Sequence, residues 1–158
     1  MRYFEDVVVG SIDSFGSYTV TKDEIMEFAE KYDPQPFHLD EAAAAESMFG
    51  ELVASGWHTM AMCMRMIADR PDPLAALAGV GADNIRWRNP VTPGDTLSLR
   101  TEVLSKRASE GRDDWGFVTS AIECLNGDDE VVVSFETTAL VQRREDNQYQ
   151  QRKPGAEN

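Results

Sequence analysis

The chain has 158 residues, with 28 acidic against 15 Lys/Arg side chains, a formal net charge of −13 at pH 7, 42% hydrophobic residues and 27% charged ones. That length suits one domain around a single core, and the composition excludes wholesale disorder and collagen-like chains. The acidity disfavours nucleic-acid binding, which depends on Lys and Arg against phosphates, and docking on an anionic membrane; no apolar run approaches the roughly 18 residues of a membrane span. The opening Met1-Arg2-Tyr3-Phe4-Glu5-Asp6 lacks the apolar stretch of a signal peptide, so a cytoplasmic protein is expected. Cys63 and Cys124 lie far apart with no CxxC or Cys/His cluster, which predicts neither a metal site nor a disulfide framework. The charge is uneven: residues 1–50 carry 3 basic and 11 acidic side chains, whereas residues 85–107 carry 5 basic and 2 acidic ones.

Tyr18-Thr19-Val20 can form a short strand before the first helix. Thr21 followed three residues later by Glu24 reads as a capping box, and Ile25, Phe28 and Ala29 then share a helical face. This helix must end before Pro34, because a residue preceding proline is pushed out of the α region. A second short helix is predicted from Glu41 through Glu46, ending before Gly50. A third runs from Ser55 to about Arg70. It is apolar nearly all round, with only Arg65 interrupting, which predicts burial on most sides. After Gly81 the period becomes two. Ile85-Arg86-Trp87-Arg88 alternates, placing Arg86 and Arg88 opposite Trp87, and Pro93-Gly94-Asp95 makes a turn. Leu97, Leu99, Thr101 and Val103 then mark one face of a strand. Trp115–Leu125 and Val131–Val141 form two more strands, joined by the hairpin signal Asn126-Gly127. The expected fold class is α+β: an antiparallel sheet with a long hydrophobic helix against it. Residues 1–141 form the single domain, and the almost wholly polar 142–158 reads as a flexible tail.

The chain has two histidines, His38 and His58. His38 closes the segment Asp33-Pro34-Gln35-Pro36-Phe37-His38, whose prolines stiffen a connection carrying one carboxylate and one imidazole. Such a pair suits acid–base chemistry near neutral pH. On spacing alone, a capping carboxylate and a surface histidine in a proline turn are the plainer reading. Ser55-Gly56 opens the hydrophobic helix, where free N–H groups and the helix dipole favour negative charge, the arrangement of an oxyanion hole. A serine N-cap beside a glycine needed for close packing fits those residues as well. His58 is expected to be a hydrogen-bonded core residue. Met60 and Met64 share one face of that helix and Met62 and Met66 another; most of them, with Cys63, are expected to fill core.

Asp33-Pro34-Gln35-Pro36-Phe37-His38, Leu52-Val53-Ala54-Ser55-Gly56-Trp57-His58-Thr59 and Asn89-Pro90-Val91-Thr92-Pro93-Gly94-Asp95-Thr96-Leu97 together resemble the MaoC-like dehydratases, which include the (R)-specific enoyl-CoA hydratases. The three blocks occur in the family's order and span about Thr21 to Val103. The resemblance implies the hotdog fold, a sheet wrapped around the helix from Ser55 to Arg70. It also implies a homodimer, with higher assembly left open and the active site near the subunit interface. Asp33 and His38 then correspond to the catalytic pair, and Gly56, with Ser55 beside it, to the residue whose N–H polarises a thioester carbonyl. Gln35, Phe37, Trp57 and His58 would line the substrate pocket.

The implied reaction adds or removes water across C2–C3 of an enoyl- or 3-hydroxyacyl thioester of CoA or a carrier protein. It needs no metal or other cofactor, and CoA enters only as part of the substrate. Gln35 and Phe37 stand where the hydratases usually have Asn and an aliphatic residue, and Met64 where they have a supporting Ser. Arg86, Arg88, Arg100, Lys106 and Arg107 are candidates for the CoA phosphates. The same fold also accommodates an acyl-CoA thioesterase, or a non-catalytic acyl-CoA-binding dimer.

Overall fold

The computed structural model describes residues 1–144, so the expected polar tail falls mostly outside the described residues. Its first three residues are firmly held. The last strand runs to Gln142, whose N–H donates to the Ala75 carbonyl, and the Arg144 guanidinium donates to both Asp6 carboxylate oxygens at 2.8 and 2.7 Å.

Five strands, β1 (Ile12–Thr19), β2 (Ala76–Trp87), β3 (Thr96–Ala108), β4 (Trp115–Leu125) and β5 (Val131–Gln142), form one antiparallel sheet in the order β1-β3-β4-β5-β2. The helices are α1 (Lys22–Tyr32), α2 (Pro36–Leu39), α3 (Glu41–Ala45) and α4 (Gly56–Ala68). Leu97 and Leu99 from β3, Ile122 and Cys124 from β4, and Val133 and Phe135 from β5 meet Met62, Cys63 and Met66 of α4 in one core. Each fully buried Val or Leu side chain here is worth about 1.5–3 kcal/mol. The Cys124 thiol is pushed far up by a hydrogen bond with Cys63 and by burial, so the two cysteines act as core fillers. This is the expected α+β architecture, a hotdog sheet around α4.

Several boundaries differ from the sequence expectation. β1 starts six residues before Tyr18, because pairing with β3 (Ile12 opposite Glu102 through Thr19 opposite Thr96) orders residues with no clear alternation of their own. A bulge between Phe15 and Tyr18 turns it toward α4. Gly16 sits there at φ +86°, and a Cβ would lie 2.7 Å from the Met66 sulfur, so only glycine lets strand and helix approach this closely. β2 is three times the predicted length: its Ala- and Gly-rich start has little strand propensity and owes its form to the ladder with β5. It is a sheet edge, exposed along almost its whole length.

The prolines between α1 and α3 do not enforce a plain loop. Pro36 takes the first position of α2, a single turn, where its missing N–H costs nothing. α3 ends at Ala45, one residue before the predicted end. α4 is less enclosed than its composition predicts. Trp57, Ala61, Met64, Arg65 and Ala68 form an exposed stripe at helical spacing, so Met64 is not core, while Met62, Cys63 and Met66 are. The turn between β4 and β5 closes as expected, but Asp129 at φ 59° rather than Gly127 takes the left-handed conformation, and the Asn126 side chain accepts N–H groups from Asp128 and Glu130. Among the described residues no helix is long and apolar enough to cross a membrane.

Candidate active site

The three sequence blocks converge. Asp33 caps the C-terminus of α1, its N–H donating to the Ala29 carbonyl. One turn on, α2 presents His38 toward the segment that leads into α4. That segment is pinned on both sides: the Val53 N–H donates to Phe37, and the Ala54 N–H donates to Val91 in the third block. These bonds fix the N-terminus of α4 beside Asp33 and His38. A cleft of about 380 Å³ results, with Asp33, Gln35, Phe37, His38, Gly56, Trp57, Trp87 and Arg88 in its walls.

His38 is buried, and its Nδ1 lies 2.6 Å from the Val53 carbonyl oxygen. A carbonyl only accepts, so Nδ1 carries the hydrogen and Nε2 is the nitrogen left to exchange protons. Nε2 stands 3.4 Å from Asp33 Oδ2. That oxygen also accepts from Ser55 Oγ at 2.6 Å, while Gln35 Nε2 donates to Oδ1 at 2.7 Å. Burial works against ionisation of Asp33. The hydrogen bonds from Ser55 and Gln35, together with the field of His38, outweigh it and hold the carboxyl below its ordinary range. Phe37 packs its ring against the His38 imidazole with centroids 4.5 Å apart, fixing the ring's orientation.

Support for the pair therefore comes from Ser55 and Gln35. Met64, at the position where a supporting serine would be sought, faces outward and is 58% exposed. Ser55 has two tasks: it donates to Asp33, and its oxygen accepts the Trp57 N–H as the N-cap of α4. Removing the hydroxyl in Ser55→Ala is expected to raise the Asp33 midpoint in a carboxyl-carbon NMR titration, and to cost about 1 kcal/mol through the lost cap. The sign follows from linkage. A carboxyl that titrates lower when folded adds stability above its unfolded value and loses it as pH falls through the folded one. The variant's acid unfolding should therefore show a smaller contribution from Asp33.

At the other wall, the Gly56 N–H has no partner among the described residues and opens the positive end of α4. The glycine is required by a neighbour: a Cβ on residue 56 would lie 2.5 Å from Trp87 Nε1 and 2.6 Å from Cε2. Trp87 in turn meets Trp57 edge to face at 5.1 Å.

His58 is not in this cleft. Its Nε2 lies 3.0 Å from Glu24 Oε1, its ring stacks on Phe28 at 4.7 Å, and its buried Nδ1 has no partner among the described residues. Glu24 also accepts the Tyr18 hydroxyl, and that hydrogen bond, with burial, pushes the phenol up to about 12. The capping box is thus half formed: Thr21 Oγ1 accepts the Glu24 N–H at 3.2 Å, but the Glu24 side chain ties β1 and α1 to α4 instead of returning to the cap. These residues border a larger groove, about 600 Å³, between α1 and α4. Its charged walls are mutually paired, Lys31 with Glu27 and Arg65 with Asp69, and it holds neither Asp33 nor His38.

Of the five basic candidates, Arg88 alone lines the cleft. Arg100 pairs with Glu123, Lys106 donates to the Phe4 and Val7 carbonyls, and Arg107 covers the Phe117 ring. Arg88 shares the cleft with Trp87 rather than facing away, because β2 ends at Trp87 and alternation does not continue past it. The sequence offered one sign of Trp87, a large aromatic in the alternating run before Asn89-Pro90, and none of Glu24 beyond its cap position. Among the described residues, no three His, Cys, Asp or Glu side chains gather as metal ligands would.

Residues 8–122 match the family model described as the MaoC like domain. The crystal structure of the MaoC-like dehydratase from Rhodospirillum rubrum is 41% identical, with a TM-score of 0.86 over 92% of this chain and 99% of that one. Two relatives are 30% identical. The uncharacterized protein YdeM of Bacillus subtilis matches over 142 residues, 88% of this chain and 98% of its own. The 3-hydroxybutyryl-CoA dehydratase of Methylorubrum extorquens matches over 146 residues, 91% of this chain and 87% of its own.

Proposed function

We propose, since this chain belongs to the MaoC-like domain family, that it is a hydratase/dehydratase acting reversibly on trans-2-enoyl and 3-hydroxyacyl thioesters of CoA or a carrier protein. The observation that carries this reading is the cluster of Asp33, His38 and Ser55 at the N-terminus of α4, with Asp33 Oδ2 3.4 Å from His38 Nε2. In the hydration direction the pair holds a water beside C3. A water O–H bond breaks as the C3–O bond forms, the C2–C3 π electrons move toward the thioester, and a proton is delivered to C2 on the same face. His38 Nε2 and the Asp33 carboxylate carry these protons between them, while Val53 keeps Nδ1–H out of the exchange. Charge that builds on the thioester oxygen is met by the Gly56 N–H and the helix dipole. Water is the only co-reactant and no electrons change hands, so the step calls for no redox group.

The working unit in this proposal is a homodimer. Two features support that reading: among the described residues the outer edge of β2 has no partner strand and exposes Leu77 and Val80, and α4 carries the exposed stripe of Trp57, Ala61 and Met64.

The test is a panel of trans-2-enoyl-CoAs varied in chain length and branching. The expected result is loss of the enoyl absorbance with formation of the (R)-3-hydroxyacyl-CoA. Release of free CoA thiol would identify a thioesterase instead, and calorimetric binding with no loss of absorbance across the panel would identify a binding protein.

A further inference from the structure

We propose that Trp87 supplies a second hydrogen-bond donor to the thioester carbonyl, its indole Nε1–H acting beside the Gly56 N–H; this deepens, and rests on, the hydration reading above. An oxyanion site gains most from two fixed donors aimed at one oxygen, each about 2.7–3.1 Å from it, so two such donors can stand no more than about 6 Å apart. A Cβ built on Gly56 lies 2.5 Å from Trp87 Nε1, and that Cβ is about 2.5 Å from its own backbone nitrogen by standard geometry. The two nitrogens are therefore separated by at most about 5 Å, within the span that lets both reach one oxygen.

The orientation of the ring adds to this. The three indole atoms nearest Gly56 are Nε1, Cε2 and Cδ1, at 2.5, 2.6 and 2.9 Å from the built Cβ. Near-equal distances mean that the pyrrole face lies over the glycine, bringing Nε1 close to the start of α4. Nε1–H donates to no described residue, an unspent donor in a cleft shared with Asp33 and His38. The ring also has a neighbour on its other side, and its backbone is paired. Trp87 is paired with Val133 in the β2–β5 ladder, and Trp57 packs edge to face against it. The position thus offers an unoccupied hydrogen on a half-exposed ring that lies between Gly56 and Trp57. The same packing gives residue 56 a reason to be glycine: the indole occupies the space that any side chain would take.

The decisive variants keep an aromatic ring and remove its N–H. Replacing Trp87 with 3-benzothienylalanine, which puts sulfur where the indole has N–H, and Trp87→Phe are both expected to lower kcat for trans-2-butenoyl-CoA by about 10²-fold. Trp87→His, which restores a ring N–H, should recover part of the loss. A kcat within about threefold of the native value in the benzothienyl variant overturns the donor role and leaves Trp87 as packing. A second readout does not depend on turnover or on chain stability. Butyryl-CoA labelled with ¹³C at the thioester carbonyl should show its carbonyl stretch lowered on binding the native protein, and rebounding toward the solution value in the benzothienyl variant. An unmoved stretch overturns the proposal even if the enzyme is active. Conversely, a native protein that hydrates no enoyl-CoA refutes the hydration reading, and a stretch that nonetheless shifts with Trp87 would keep the thioester-binding donor.

Discussion

His38→Ala is expected to reduce enoyl-CoA hydration by about 10²–10⁴-fold, the usual contribution of a positioned acid–base group. It also strips the buried Val53 carbonyl of its donor, which costs about 1–3 kcal/mol of stability. The two effects can be separated. In His38→Asn the side-chain amide can still donate to Val53 but has no second ring nitrogen, so the rate should fall as far while the melting temperature falls less. Asp33→Asn makes the complementary test. It preserves shape and still accepts from Ser55, but it cannot take up a proton as a carboxylate does, and it should lose a similar share of kcat. Steady-state rates on the preferred enoyl-CoA, read beside thermal melts, decide the matter. A native rate in either Asn variant would remove that residue from the mechanism.

Gly56→Ala is expected to damage both the fold and the rate through a single atom. The added Cβ would stand 2.5 Å from Trp87 Nε1, and an indole is rigid, so the ring or the start of α4 must move. Overpacking of this kind costs about 1–3 kcal/mol. A displacement near 1 Å of the groups that position a substrate can cost about 10²-fold in rate. The double variant Gly56→Ala/Trp87→Ala shows whether the clash is the cause: removing the ring should return most of the stability lost to the added methyl group, giving strong coupling in a double-mutant cycle. The rate should not return with it. Additive stability effects would mean that residue 56 is constrained by something other than Trp87.

Much of the layout was legible in the chain. The long apolar helix, the alternating strands and the turns at Gly94 and Asn126 follow from local periodicity and turn chemistry, and the structure has them. What was hidden depends on distant partners. Residues 76–84, rich in Ala and Gly, carry no strand signal of their own; the ladder with β5 supplies the order. Asp33 and His38 are visible as a stiffly joined pair, but the sequence could not show that Ser55, 22 residues on, reaches back to the carboxylate. Glu24 is readable as a capping residue because capping is local. Its contact with His58 crosses 34 residues and takes the side chain away from the cap, while His58 lies outside the cleft where the family resemblance would put it. The same limit applies to Trp87, whose meeting with Gly56 depends on how an edge strand lies over a helix end.

The strand order has a consequence for how the protein reaches its working state. β3, β4 and β5 follow one another in the chain and lie side by side in the sheet, so each of their pairings closes a short loop. β1 reaches β3 only across all four helices and β2, and β2 reaches β5 only across β3 and β4. Distant closures cost more entropy before they are rewarded, so the central meander can form first and the two edges dock late. Every group assigned to the chemistry lies outside that meander: Asp33 and His38 between α1 and α3, Gly56 at the start of α4, Trp87 at the end of β2. Trp87 therefore joins the site only when the late β2–β5 pairing closes. A chain folded only in its central meander holds none of the residues assigned to the site.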